Sequence, residues 1–356
     1  MRVAVYTISR DEQAHVERWA TSAADADVRV LYDTGSQDRT VEVARDVGVR
    51  VHRGSVVPWR FDDARNASLA AVPSDVDYCI ALDADEQLMP GWRDALEAAH
   101  DAGWTRPRYL YTWSWVEENV PGLQYHGDKV HVRHGYRWRH PVHEVLSTYG
   151  NTVETQGFMP GFEIHHHPDP SKSRGQYLPL LAWSVAEDPD DDRNAYYYAR
   201  ELMYAGRVEE SVAEFQRHLA LPRARWNLER ASSMRYIGRM LDSEEWLLKA
   251  VEEAPDQREA RVELAEFYYR HAEWDLCLMA AEGALAQTDR SAAYLIEGDA
   301  WTWKPHDQAA IALFNLGRHG EAVVHGRAAL EAAVPWERDR LAANLRWYEG
   351  AVTAAA

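Results

Sequence analysis

The chain has 356 residues, 46% of them apolar, which is more than one ordinary core uses and enough to build two domains of common size. Its 39 Lys and Arg against 57 Asp and Glu give a formal charge of −18, and no cluster of basic residues interrupts that balance, so nucleic acid and anionic membrane surfaces are excluded as expected partners. Two cysteines, Cys79 and Cys277, offer neither a disulfide framework nor a zinc spacing, which points to a reducing, cytoplasmic setting. No apolar run approaches the ~18 residues of a membrane span, and the opening segment is too short and lacks the cleavage site of a signal peptide.

Residues 2–9 predict a strand, and a helical pattern starts at Asp11-Glu12-Gln13 and continues through Val16 and Trp19. Residues 28–33 are a second strand ending in Asp33-Thr-Gly35-Ser36-Gln-Asp38-Arg39-Thr40. Gly35 permits a tight turn there, and Ser36 or Asp38 can cap the helix over 41–47. A third strand covers 49–52, and Phe61-Asp-Asp-Ala-Arg65-Asn66 opens the next helix. The apolar run Cys79-Ile-Ala-Leu then leads into Asp83-Ala84-Asp85-Glu86.

Strands alternating with helices at this spacing predict a parallel, doubly wound sheet, in which ligands bind beyond the carboxyl ends of the strands. Asp83, Asp85 and Glu86 fall at that place. Mg²⁺-type cations use one or two carboxylates together with the oxygens of a substrate diphosphate, and Asp-x-Asp supplies such a pair. Taken alone, an acidic strand end is more often only a solvated turn. No Gly-x-Gly-x-x-Gly or P-loop follows the first strand, which disfavours a nicotinamide-dinucleotide or nucleoside-triphosphatase site.

In this order the motifs resemble family 2 glycosyltransferases of GT-A fold: Arg10-Asp11-Glu12 where Lys-Asn-Glu is more usual, the Asp33 to Thr40 signature, Ala64-Arg65-Asn66, and Leu82-Asp83-Ala84-Asp85-Glu86. The resemblance implies an α/β GT-A domain, a Rossmann-like nucleotide-binding sheet, over residues 1–185. It also implies nucleotide-sugar contacts from Thr7, Ser9, Arg10, Glu12 and Ala84, with Asp33 on the base, Arg65 on a phosphate, Asp83 on the ribose or metal, and Asp85 on a Mn²⁺ or Mg²⁺ ion.

Residues 109–117 and 129–133 alternate as further strands, which the resemblance makes antiparallel additions to the sheet. Trp138-Arg-His140-Pro-Val-His143-Glu144 resembles the His-Glu motif that follows. Glu144 is either the general base that deprotonates the acceptor or half of a structural His-Glu pair. In Phe162-Glu-Ile164-His165-His166-His167, strand alternation lets one or two histidines face the site. Aligning apolar Phe162 and Ile164 makes His166 the first choice for the metal, with His165, His167 or no metal role as alternatives. Lys172 and Arg174 belong either to a closing segment over the diphosphate or to a solvated helix start. The tryptophans gathered here, Trp113, Trp115 and Trp138, serve packing or stack on sugar faces.

From 186 to 356 the chain is almost all amphipathic helix. Gly206-Arg207 with Ser211 and Phe215, and Gly317-Arg318 with Ala322 and Gly326, repeat small residues at fixed offsets from a turn glycine. These segments look like tetratricopeptide repeats, about four helix pairs with a loosely kept period and an insertion near Trp301-Thr-Trp-Lys-Pro305. Such an array binds a peptide or another subunit, braces its neighbour or forms a homodimer. The combined arrangement resembles a subgroup of family 2 enzymes, some of which modify peptides or proteins. The expectation is therefore a metal-dependent, inverting transfer of sugar from a nucleoside-diphosphate sugar, a UDP-sugar first, to a protein, peptide or cell-envelope glycan. Its rivals are a non-catalytic repeat scaffold with a degenerate front domain, and a nucleotidyltransferase, for which a Gly-rich triphosphate loop is missing.

Overall fold

The computed structural model describes residues 1–169 and 175–355 and divides into two compact units, Met1–Glu187 and Asp188–Ala356. Lys172 and Arg174 lie outside the described residues. No helix among those residues is long and apolar enough to cross a membrane.

The first unit is mixed α/β. It runs β1 (Val3–Ser9), α1 (Val16–Ser22), β2 (Val28–Asp33), α2 (Thr40–Asp46), β3 (Arg50–Arg53), α3 (Phe61–Ala71), β4 (Tyr78–Ala81), β5 (Glu86–Leu88), α4 (Trp92–Asp101) and β6 (Arg108–Thr112). There follow β7 (Trp115–Glu117), β8 (Val120–Pro121), β9 (Gln124–Gly127), β10 (Val130–Val132), β11 (Tyr136–Arg139), β12 (Val145–Thr148), β13 (Phe158–His166) and α5 (Tyr177–Glu187). The main sheet has the order β10-β4-β1-β2-β3, in which β1 to β4 are parallel and β10 is antiparallel to β4. A second sheet has the order β5-β13-β6-β9.

β1 is central and reads as an unbroken apolar run because both its faces are covered. Val3 and Val5 pack with Leu31, Ile80 and the α1 residues Trp19 and Ala20, while Ala4 and Tyr6 pack with Val30, Cys79, Leu69 and Trp138 on the other side. Trp19 is fully buried, and its Nε1–H donates to the Leu82 carbonyl at 2.9 Å, which fixes the point where β4 ends.

Two expectations differ from the structure. The first helix starts at Val16 rather than Asp11, because polar groups of the next loop hold residues 11–13: Asp11 has φ 56°, its N–H donates to Ser36 Oγ, and Gln13 N–H donates to Asp38. The stretch 109–117 divides into β6 and β7. β6 joins the second sheet, parallel to β13 and antiparallel to β9, so only β10 is an antiparallel addition to the main sheet.

The second unit is a helical repeat region: α6 (Asp192–Tyr204), α7 (Val208–Ala220), α8 (Asn227–Leu241), α9 (Glu244–Glu253), α10 (Arg258–Arg270), α11 (Trp274–Leu285), α12 (Lys304–Asn315), α13 (His319–Glu331) and α14 (Arg338–Ala355). The turns α6–α7, α8–α9, α10–α11 and α12–α13 are built alike. Each has one residue in the left-handed region, Gly206, Asp242, Ala272 and Gly317. In each, the next N–H reaches back to a carbonyl five residues earlier at 2.9 Å: Arg207 to Leu202, Ser243 to Gly238, Glu273 to Tyr268 and Arg318 to Leu313. This is a Schellman closure, which prefers glycine but accepts Asp or Ala at a cost. The repeat around residues 230–255 reads weakly in the sequence because Asp242 stands where the clearest repeats have glycine.

Candidate functional site

Because β2, β1 and β4 are parallel neighbours, Asp33, Ser9 and Asp83 leave the sheet along one edge. Beyond Ala81 the chain turns, and the turn is closed by its own third acid: Glu86 N–H donates to the Asp83 carbonyl at 2.9 Å, and Glu86 Oε2 accepts the Asp83 N–H at 2.8 Å. Glu86 is fully buried, and its other oxygen accepts from Tyr111 Oη–H at 2.6 Å and from Lys129 Nζ at 2.9 Å. Lys129 also donates to Asp83 Oδ2 at 2.7 Å, while Arg65 Nη2 donates to Asp83 Oδ1 at 2.7 Å. Arg65 Nε–H in turn donates to Glu144.

The result is an alternating chain of charge, Glu144, Arg65, Asp83, Lys129 and Glu86. Burial opposes the charge on Arg65 and Lys129, yet the carboxylates beside each outweigh it and hold both cations well above their ordinary values. Burial likewise opposes ionisation of Asp83, and Arg65 and Lys129 overcome it and hold the carboxyl well below the usual range. Burial first, and then the Glu86 charge, push the Tyr111 phenol upward, so it remains a donor.

Arg65 comes from α3 and lies 5.0 Å over the Trp138 ring. Asn66 clamps the Trp138 backbone through both its N–H and its carbonyl, at 2.9 and 3.0 Å. Trp138 Nε1–H donates to Tyr6 Oη at 2.9 Å, and Tyr6 Oη lies 3.0 Å from His131 Nε2. His131 Nδ1 faces the Val132 carbonyl at 2.8 Å and so carries the ring proton, which leaves Nε2 to accept from Tyr6.

A second constellation forms where β13 pairs with β5 and sets His166 opposite Glu86. His166 Nε2 lies 3.5 Å from Asp85 Oδ2, and the Asp85 carbonyl accepts His167 N–H at 2.9 Å. His166 Nδ1 faces the Trp113 carbonyl at 2.9 Å and the Trp113 ring stacks on the imidazole at 4.5 Å, so neutral His166 would present an Nε2 lone pair toward Asp85. Burial lowers the His166 pKa, but Asp85 outweighs it and the net direction is upward. Strand alternation turns His165 and His167 away, His165 toward Glu163 at 3.4 Å and His167 onto the Trp115 ring.

The remaining sequence-predicted residues are spread along the same edge. Ser9 Oγ is buried and has no hydrogen-bond partner among the described residues, and Thr7 Oγ1 donates to the Ile8 carbonyl at 3.0 Å. Asp33 is fully buried, with Oδ1 accepting from Ser36 N–H at 3.0 Å and Oδ2 from Arg53 Nε–H at 3.1 Å. Glu12 N–H donates to Thr40 Oγ1 at 2.7 Å, Ala84 is buried in the turn, and Arg10 is exposed beside Asp11. Arg65, Asp83 and Glu144 are thus brought together, as are Asp85 and His166, whereas Arg10 stands apart in the solvent.

Sequence reasoning missed Lys129 and Tyr111 and gave Glu86 no specific partner. The only signal for Lys129 was its place before a short apolar strand beside an acidic turn. Among the described residues no group of three or more His, Cys, Asp or Glu is arranged to hold a metal. Asp83 and Glu86 are already neutralised by cations, so the donors left to a divalent ion are Asp85 and His166. That pair suits an ion that takes its other ligands from a substrate diphosphate and water.

No family model matches the chain. Over 110 residues it is 30% identical to an uncharacterized glycosyltransferase of Rickettsia bellii, covering 31% of this chain and 36% of that protein. Over 91 residues it is 35% identical to a TPR repeat-containing protein of Synechococcus elongatus, covering 25% of this chain and 21% of that one. The chain therefore spans about a third and about a fifth of these curated relatives. Among solved structures, a thermophilic TPR protein of Thermus thermophilus aligns with 47% of this chain and 88% of its own at 20% identity and a TM-score of 0.35. MamA aligns with 44% of this chain and 80% of its own at 15% identity and the same TM-score.

Proposed function

We propose that the first unit is a GT-A-type glycosyltransferase domain of the family 2 kind, which moves a sugar from a nucleoside-diphosphate donor, a UDP-sugar first, to an acceptor on a protein, peptide or glycan. The observation that carries this reading is the pairing of Asp85 with His166, residues far apart in sequence, beyond the carboxyl end of β4, on the sheet edge where β1 ends in the buried Ser9, whose hydroxyl has no partner among the described residues. The relationship to a named glycosyltransferase over part of the chain supports it.

In this reading Asp33 and Ser9 bind the nucleoside, and Asp85 and His166 would hold Mn²⁺ or Mg²⁺. The ion, when bound, offsets the charge that develops on the departing diphosphate. Trp113 and Asp85 orient the His166 ring for this task, and Arg65 holds Asp83 and Glu144 at fixed places on either side of its guanidinium. Glu144, with its side chain about 10% exposed and paired with Arg65, takes the acceptor proton.

The test is thermal stabilisation by nucleoside diphosphates and nucleotide sugars with and without Mn²⁺ or Mg²⁺. A shift that requires both one nucleotide and the metal sustains the proposal. The absence of any shift would favour a scaffold, in which the mutual neutralisation of Arg65, Asp83, Lys129, Glu86 and Glu144 serves only to stabilise the unit.

A further inference from the structure

α12 and α13 pack along a seam of mostly small residues. Ala309, Ala310 and Leu313 of α12 share one buried cluster with Ala322 of α13, and side chains this short let the two helices approach closely. His306 stands three and four residues before the α12 alanines, and His325 stands three residues after Ala322, so helical periodicity puts each imidazole on the face its own helix turns to the other. There they meet. His306 Nδ1 lies 3.1 Å from His325 Nδ1, with the ring centroids 5.2 Å apart and the planes inclined at 43°.

A contact of this length between two imidazole nitrogens is a hydrogen bond when one ring carries its proton on Nδ1 and the other presents a lone pair there. Both rings are partly buried. Burial first, then His325 and Arg258 of α10, lowers the His306 pKa. Burial also lowers that of His325, and outweighs Glu282 of α11 and Glu321 of α13, which act the other way. The pair is therefore neutral near pH 7, the form in which imidazole binds a metal. The separation also suits a chelate. With metal–nitrogen bonds of about 2.0–2.1 Å, nitrogens 3.1 Å apart subtend roughly 100° at a shared ion, between the roughly 90° of a square or octahedral site and the roughly 109° of a tetrahedral one. The field of Glu282 and Glu321 favours a cation beside His325. Arg258 opposes it at His306, although its guanidinium is engaged over the Trp301 ring at 4.6 Å.

We propose that His306 and His325 form a two-imidazole site for a late first-row divalent cation, Zn²⁺, Cu²⁺ or Ni²⁺, which clips α12 to α13. On binding, the proton between the rings moves to Nε2 of the ring that held it, so both Nδ1 atoms give their lone pairs to the ion and the protein loses no proton. Water fills the remaining positions. Mg²⁺ and Ca²⁺, which take oxygen ligands, are not its ions. The site lies wholly in the second unit and is independent of the chemistry proposed for the first.

The test is calorimetric titration of the full chain with ZnCl₂ alone, in the unaltered protein, in His306→Gln, in His325→Gln, and in Asp85→Asn/His166→Gln, which removes the candidate pair of the first unit. The unaltered chain should bind a zinc ion that Asp85→Asn/His166→Gln still binds, and each of the other two variants, with helical circular dichroism kept, should weaken that binding at least ten-fold. Unchanged zinc affinity in a folded His306→Gln or His325→Gln, or no zinc uptake by the unaltered chain, overturns the proposal and leaves the pair as a hydrogen bond between helices. If a histidine variant does not fold, amide exchange in the unaltered chain decides. With zinc at about one hundred times its dissociation constant, amides around His306 and His325 should exchange at least ten-fold more slowly than without it, and equal rates overturn the proposal.

Discussion

Replacing Lys129 with Met keeps most of the side-chain volume and removes the ammonium that joins Asp83 to Glu86. The two contacts are 2.7 and 2.9 Å, and the Glu86 side chain is 1% exposed, so the variant leaves a buried carboxylate with only Tyr111 and one backbone N–H as partners. Breaking a buried ion pair from one side costs about 3–5 kcal/mol. Lys129 and Asp83 are each 26% exposed and Asp83 keeps Arg65, so water recovers part of that loss and the expected cost is about 3 kcal/mol, the low end of the range. For a unit of this size that corresponds to a fall in Tm of roughly 6–12 °C. Urea unfolding of the unaltered chain, Lys129→Met, Glu86→Gln and the double variant forms a cycle whose coupling energy should be about 2 kcal/mol, because Gln no longer needs the cation. A cost below ~0.5 kcal/mol for Lys129→Met, with no coupling, would mean that the charges are solvated independently, and the reasoning would fail.

Asp85→Asn and His166→Gln should each abolish Mn²⁺-dependent stabilisation by UDP and leave melting without metal nearly unchanged; a retained shift in both variants would remove the metal assignment. His131 is driven down to about 3, by burial first and then by Arg106 and Arg133, so the unfolded chain accepts a proton that the folded one refuses. Its contribution to stability is complete above about pH 6.5, falls by ~1.4 kcal/mol per unit below that, and ends near pH 3. Between pH 6.5 and 5 roughly 2 kcal/mol should be lost in denaturant titrations, and His131→Gln should flatten that part of the profile. Gly127→Ala would place a methyl 2.5 Å from the ring of fully buried Tyr109, and the overpacking should cost about 1–3 kcal/mol in the same titrations.

The parts of the fold legible in the sequence are those set by local periodicity. β1 and β4 announce themselves as apolar runs because both faces are covered, and the helix pairs announce themselves wherever glycine holds the left-handed turn. Where Asp242 holds the same turn, the backbone closes identically but the sequence signal fades. Residues 109–117 alternate like one strand because alternation reports a half-covered sheet face and says nothing of which sheet provides it; β13 captures β6 for the second sheet. Lys129 was illegible for a related reason. Its contact with Asp83 exists because β10 pairs antiparallel to β4 with Val130 opposite Ile80, and no spacing within the chain encodes that register.

The register carries a consequence for the acidic motif itself. Three carboxylates within four residues suggest a shared cation site, yet Lys129 enters from β10 and Arg65 from α3, and both settle on Asp83, with Lys129 extending to Glu86. Only Asp85 is directed to the other side of the turn, where its backbone meets β13 and its side chain meets His166. The motif is therefore divided by its contacts: its first and last acids are bound by Lys129, with Arg65 on the first and Tyr111 on the last, and its middle acid meets His166. Arg65 follows the same logic. With Asp83 on one side, Glu144 on another and Trp138 beneath, its charge already has partners, so a phosphate that approached it would have to compete with two carboxylates held in place by the fold. In the proposed transfer, positive charge for the departing diphosphate would then have to come mainly from an ion at Asp85 and His166, which makes those two side chains the sharper place to test that proposal.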